Sequence, residues 1–205
     1  MVERGEADDP SAVEAACAHL LAGRLVIAPT DTVYGLAALP SIQHATEALF
    51  AVKGRPSDVP LAVLVDSLDQ ALALVEAPDE PVARLAARLW PGPLTIVLRR
   101  RVDAGVELGG DGATVGVRCP DHRAVRALAR SVGPLAVTSA NRHGEPTPST
   151  ADELAAIFRS SVALILDGGT CAAIPSTVVD GTREELRILR AGPITSEQIA
   201  QAALL

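Results

Sequence analysis

Short, almost unbroken apolar runs punctuate the chain and limit how it can fold. LVIA at 25–28, LAVLV at 61–65, LTIVL at 94–98, LAVT at 135–138 and ALIL at 163–166 carry hardly a polar residue. A strand with one wet face alternates in polarity, whereas a run that is apolar at nearly every position needs cover on both faces. Helical patterns lie between many of these runs. Interleaved strands and helices define the α/β class. VYGLA at 33–37, TVGVR at 114–118, STVVD at 176–180 and LRIL at 186–189 complete the expected strands. Runs 94–98 and 114–118 have no helix between them, nor do the runs from 163–166 through 189. A purely parallel sheet needs a crossover at each step, so the expectation is a twisted mixed parallel/antiparallel sheet flanked by helices.

Local signals place the helices. Asp9 and Pro10 suit an N-cap and first helical position, with Val13, Cys17, Leu20 and Leu21 as the inward stripe. Ser41 reads as the cap of a helix running to about Val52, with Ile42, Ala45 and Leu49 inward. A helix is expected near 67–75. Asp79 and Pro81 open another, which stops before the Pro91-Gly92-Pro93 breaker. Asp121 is the expected cap of a helix facing inward through Val125, Leu128 and Val132. Thr150 with Glu153, and Thr195 with Gln198, have the spacing of capping boxes.

The 205 residues suit one domain, 1–205, with a core over about 13–193. No apolar run is long enough to suggest a membrane span. The acidic start MVERGEADDP does not read as a signal peptide. Cys17, Cys119 and Cys171 form neither a zinc pattern nor a disulfide framework, which fits a reduced, cytoplasmic location. A net charge of −7 and only 2% aromatic residues weigh against a surface that holds nucleic acid by charge and base stacking. A small anionic ligand in a locally basic pocket is compatible with both numbers.

Three polar segments stand out. Of 18 basic residues a single one, Lys53, is lysine, and Asn141 is the sole asparagine. Where composition drifts so strongly toward arginine, a retained lysine either marks a position that resists exchange, because an ammonium point charge and a planar guanidinium are not equivalent, or fell there by chance. PTDTVYGL at 29–36 follows a buried strand, where α/β folds place ligand loops, and offers Thr30, Asp31 and Thr32. Its Tyr34 is the chain's one tyrosine. KGRP at 53–56 sets Lys53 beside Arg55, with Gly54 allowing the turn that makes the two cations converge. Such a pair suits a polyphosphate. TSAN at 138–141 ends a strand with Ser139 and Asn141 on one side, and the following loop, to Ser149, reads as a mobile lid. Each segment alone reads equally well as a capped or solvated turn. Arg118 (preceded by Thr114), Ser176 and Arg190 are strand-end groups that suit the same cleft, though each taken alone reads as a surface residue. Arg99, Arg100 and Arg101 read as a solvated hairpin flank. His19, His44, His122 and His143 lack metal spacing, and no side-chain metal site is expected; His143 alone lies in a polar loop.

The order PTDTVYGL, KGRP with PLAVLV, WPGPLT, VGVRCPDH, TSAN, STVVD and ILRAG resembles the YrdC/Sua5 family, the threonylcarbamoyl-AMP synthases. The likeness spans roughly residues 13–193 and suits the single-domain form, since larger members carry a further C-terminal domain. It implies a YrdC-like fold with a deep ligand cleft. It also implies a nucleotidyltransferase that joins L-threonine, bicarbonate and ATP, with Mg²⁺, into threonylcarbamoyl-AMP and pyrophosphate. Partner proteins would then pass the threonylcarbamoyl group to adenosine 37 of tRNAs reading ANN codons, with direct tRNA binding weak. By the same resemblance Lys53, Arg55, Ser139 and Asn141 form the central polar group. Thr32, Arg118 and Ser176 would contact threonine. Arg55, Thr114, Thr138, Ser149 and Arg190 would contact the nucleotide. The chain departs from many relatives at Leu64, where they have a polar histidine. Two other readings are an RNA-binding module, disfavoured by acidity and few aromatics, and a carbamoyl-transfer domain, disfavoured by the lack of accessory modules.

Overall fold

A computed structural model describes residues 2–204. The chain runs β1 (Glu3–Glu6), α1 (Pro10–Leu21), β2 (Val26–Ala28), β3 (Gly35–Ala38), α2 (Gln43–Lys53) and β4 (Ala62–Leu64). It continues through α3 (Leu68–Leu72), α4 (Glu80–Leu89), β5 (Leu94–Arg99), β6 (Thr114–Arg118), α5 (Arg123–Val132) and β7 (Leu135–Ser139). It ends with α6 (Ala151–Phe158), β8 (Leu164–Asp167), β9 (Thr177–Asp180), β10 (Arg187–Arg190) and α7 (Ser196–Leu204). All strands join one 10-stranded sheet in the order β1-β8-β2-β3-β7-β4-β6-β5-β9-β10. Pairings β1–β8, β2–β8, β4–β6 and β5–β9 are parallel; β2–β3, β3–β7, β4–β7, β5–β6 and β9–β10 are antiparallel. The sheet is mixed, as the helix-free connections require.

Alternate residues of each strand go to opposite faces, and the core divides accordingly. On one face Ile27, Leu36, Val63, Ala136, Val117, Ile96 and Val179 pack with α2, α3, α4, α6 and α7. On the other, Val26, Ala28, Ala37, Leu135, Val137, Leu164 and Leu166 pack under α1 and α5. This second layer stops at Leu64 and Val137. Beyond them, among the described residues, β6, β5 and β9 have no helix on that face. The expectation that helices cover both faces therefore holds for half the sheet only. The helix-free connection joining β5 to β6 supplies no cover, and the bare half becomes the floor of a cleft.

Several local expectations hold. Asp9 accepts the Ser11 backbone N–H at 2.9 Å and Pro10 begins α1. Thr150 and Glu153 form a reciprocal capping box, and Thr195 and Gln198 do the same before α7. Others need correction. The fully buried stripe of α1 is Ala12, Ala16 and Leu20; Val13 and Cys17 pack half-buried against the same core, and of the expected stripe Leu21 alone turns out, 61% exposed. The i, i+4, i+8 row of two alanines lets the helix backbone approach the sheet more closely than a Val/Cys stripe would. Ser41 and Asp121 are not caps: Ile42 and His122 occupy those positions and make no side-chain cap bond. β8 does not neighbour β9, although only loop joins them; it lies across the sheet beside β2. β1, sequence ERGE, has no apolar signal. It is an edge strand held by its ladder to β8 and by Arg4, which bonds Asp167 at 2.8 Å and Asp152.

Candidate active site

A cleft of about 480 Å³ lies on the bare half of the sheet. Its floor is one side of each strand: Ala62 and Leu64 from β4, Thr114, Gly116 and Arg118 from β6, Thr95 and Val97 from β5, Ser176 and Val178 at β9. Thr30, Thr32, Thr138 and Ser139 close one end, Arg55, Pro60 and Leu61 a side, and Thr147, Pro175 and Arg190 the rim. Among the described residues the wall includes three arginines and no carboxylate. An acidic chain thus carries a basic cleft.

Arg118 is the most deeply set of these cations, 5% exposed. Its Nε donates to the Gly92 carbonyl at 3.1 Å, Nη1 to Thr32 Oγ1 at 2.7 Å, and Nη2 to the Asp31 carboxylate. A guanidinium has five N–H groups, so two have no partner among the described residues. Burial lowers the Arg118 pKa, and the neighbouring Asp31 charge opposes that shift. Thr30 fixes the partner hydroxyl. Its Oγ1 donates to the Val33 carbonyl at 2.7 Å, accepts the Thr32 and Val33 backbone N–H groups at 3.1 Å each, and lies 2.9 Å from Thr32 Oγ1. Thr32 Oγ1 accepts from Arg118, since a guanidinium only donates.

Lys53, the C-terminal residue of α2, lies behind the cleft and is 3% exposed. Its ammonium donates to the Ser139 carbonyl at 2.7 Å, to Ser139 Oγ at 3.2 Å and to Asn141 Oδ1. Ser139 Oγ also donates to Asn141 Oδ1 at 2.6 Å. β7 ends at Ser139 and the Asn141 N–H turns back to the Ser139 carbonyl at 2.9 Å, so it is this turn rather than strand alternation that brings the Asn141 and Ser139 side chains together. Gly54 follows in the left-handed region, φ 68°, where a side chain would be strained. This turn carries Arg55 back to the cleft wall, where Nε donates to Val59 O at 3.0 Å and Nη2 to Pro60 O at 2.9 Å. Burial and the Arg55 charge lower the Lys53 pKa to about 8. Burial also lowers those of Arg55 and Arg190.

At the rim, Arg190 donates from Nε to Ser176 O and from Nη2 to Ser176 Oγ, both at 3.0 Å. Ser176 Oγ lies 2.8 Å from Thr95 Oγ1. Of the sequence-selected residues, Thr32, Arg55, Thr114, Arg118, Thr138, Ser139, Ser176 and Arg190 line the cleft. Lys53 and Asn141 support Ser139 from behind. Ser149 does not line it: its backbone N–H caps toward Glu153 at 2.9 Å, and Thr147 occupies the wall instead. Thr95 and Gly116 were not singled out by the sequence reading. Their signal was a small or polar residue recurring every second position inside an apolar strand. Tyr34 is fully buried and is a structural pin: its hydroxyl donates to Gly169 O at 2.7 Å and accepts the Gly168 N–H at 3.0 Å. His143 is exposed outside the cleft.

The fold and cleft define an α/β protein with a mixed sheet whose uncovered half floors a cavity lined by three arginines. The Sua5/YciO/YrdC family profile, described as "Telomere recombination", matches residues 18–192. A putative threonylcarbamoyl-AMP synthase of Mycobacterium tuberculosis is 37% identical over 98% of this chain and 95% of its own length. The threonylcarbamoyl-AMP synthase of Bacillus subtilis is 39% identical over 94% of this chain and 56% of its own. The crystal structure of P. abyssi Sua5 complexed with L-threonine superposes with a TM-score of 0.86 at 33% identity, over 98% of this chain and 60% of that one. The chain belongs to the Sua5/YciO/YrdC family.

Proposed function

We propose that the protein is an L-threonylcarbamoyladenylate synthase, a nucleotidyltransferase using L-threonine, bicarbonate and ATP. The observation that carries this reading is the convergence of Arg55, Arg118 and Arg190 on one cleft without a wall carboxylate, backed by the Lys53–Ser139–Asn141 cluster. The relatives' names and the threonine complex of P. abyssi Sua5 support it. The volume suits small molecules rather than a nucleic-acid duplex.

In this reading the threonine amine takes up bicarbonate with loss of water, giving a carbamate. A carbamate oxygen attacks the α-phosphorus of ATP and pyrophosphate leaves. The reaction needs alignment and charge stabilisation, not a protein nucleophile. Arg118, with its two free N–H groups, takes the threonine carboxylate, with Thr32 and Ser176 nearby. Arg55 and Arg190 face the phosphates, and Thr114 and Thr138 the nucleoside. Lys53 and Asn141 hold Ser139 in place. Among the described residues no cluster of three or more His, Cys, Asp or Glu is arranged for a metal. Magnesium therefore belongs to this reading as the counter-ion of ATP, entering with the substrate. The adenylate passes to partner proteins that modify tRNA. A cytoplasmic location fits this role, and no helix among the described residues is long and apolar enough to cross a membrane.

The test is pyrophosphate release from ATP with L-threonine and bicarbonate, each omitted in turn, with mass detection of the adenylate. Release requiring all three, with that product, is expected. A folded, ATP-binding protein without threonine-dependent release would overturn the reading.

A further inference from the structure

We infer that Thr95 is a positioning residue of the cleft, which with Ser176 and Arg190 forms a donor set for a ligand oxyanion. The identity of that oxyanion rests on the synthase reading; the hydrogen-bond arrangement does not. Thr95 lies on β5, 7% exposed, with its side chain in the cleft floor. Its methyl is turned toward Gly116 of β6, where an added Cβ would come within 3.2 Å of it. Its hydroxyl is turned the other way, toward β9, and meets Ser176 Oγ at 2.8 Å.

Counting protons fixes what this cluster offers. Arg190 Nη2 donates to Ser176 Oγ at 3.0 Å. A guanidinium cannot accept, so that lone pair is committed. Thr95 and Ser176 share one proton across their contact, in one direction or the other. Among the described residues neither hydroxyl has a further partner. In both arrangements one O–H is left over beside the cleft. If Ser176 donates to Thr95, the free proton is on Thr95; if Thr95 donates, it is on Ser176. That single O–H lies beside N–H groups of Arg190 that have no partner among the described residues; Thr95 comes from β5, Arg190 from β10, and Ser176 immediately precedes β9. A fixed neutral donor beside a cation suits an oxyanion. The carboxylate or carbamate of the threonine moiety and a phosphate of ATP share this chemistry.

The experiment compares T95V, which keeps the branch and deletes the hydroxyl, with T95S, which keeps the hydroxyl. T46V is the control, because buried Thr46 bonds only its own helix, at Gln43 O, 2.8 Å. Separate KM values for L-threonine, bicarbonate and ATP are measured with kcat. Loss of a desolvated hydrogen bond predicts that T95V raises one KM about tenfold, with T95S within about twofold of wild type. T46V should leave the kinetics unchanged. A shift in threonine or bicarbonate assigns the oxyanion to the carboxylate or carbamate; a shift in ATP assigns it to a phosphate. A folded T95V with wild-type kinetics would overturn the inference. If T95V does not fold, T95A is read in the same way. If the wild-type protein makes no adenylate, the synthase reading fails by itself. Calorimetry with pyrophosphate and with L-threonine then decides for Thr95: weaker binding of one by T95V sustains its role, and equal binding of both removes it.

Discussion

Replacing Lys53 by arginine tests whether the lone lysine is required as a lysine. The charge is kept, so any loss reports geometry. Lys53 has three acceptors around one ammonium, in Ser139 O, Ser139 Oγ and Asn141 Oδ1, and is 3% exposed. An ammonium has three N–H groups and matches them; a guanidinium has five on a larger plane, leaving two buried donors unmatched. Overpacking and unmatched donors each cost on the order of 1–3 kcal/mol, and outward relaxation recovers part of that. A net loss of about 2 kcal/mol is small against the 5–15 kcal/mol typical of a domain. It would lower Tm by roughly 4–8 °C at this size. Activity should suffer more. Relaxation moves Ser139, and a displacement of about 1 Å at a positioning residue costs on the order of a hundredfold. The assay is threonine-dependent pyrophosphate release, as kcat/KM for ATP, beside a thermal melt. A folded K53R protein with near-normal kcat/KM would refute the reasoning and make the lysine an accident of composition.

Two further predictions concern the cations. Lys53 has a pKa lowered to about 8 by burial and by Arg55, so it is charged below that pH and loses its proton as pH rises through it. ATP affinity measured by calorimetry should therefore fall above about pH 8, and R55Q should move that limb upward, because a neighbouring positive charge is removed; a flat profile to pH 10 would contradict this. Asp31 compensates buried Arg118. D31N removes the charge but keeps an acceptor, so the unliganded protein should lose less than the roughly 3–5 kcal/mol of an unpaired buried ion, on the order of 1–3 kcal/mol, and melt roughly 2–12 °C lower. An unchanged melting temperature would show that the pair contributes nothing.

The sequence by itself determined the α/β class, the mixed character of the sheet and most elements, because these follow from local periodicity and caps. Asp9, Thr150 and Thr195 act within four residues of themselves and were legible. The continuous apolar runs required cover, and the helix-free connection from β5 to β6 required an antiparallel step. Tertiary structure decided where cover stops. Whether Thr95, Gly116 and Arg118 face a helix or a cleft depends on strand order, which joins β4 to β6 and β5 to β9 across long stretches of chain. Tyr34 shows the same limit. Its segment read as a ligand loop, yet the ring turns away to Gly168 and Gly169, more than a hundred residues later. β1 was invisible because an edge strand of charged residues is defined by its ladder to β8 rather than by its own side chains. Chemistry-bearing residue types were recognisable one at a time. Their division into a cleft wall with Arg118, Arg190 and Ser139, and a support behind it with Lys53 and Asn141, came only from packing, since side-chain direction at a strand end is set by what the neighbouring strands leave open.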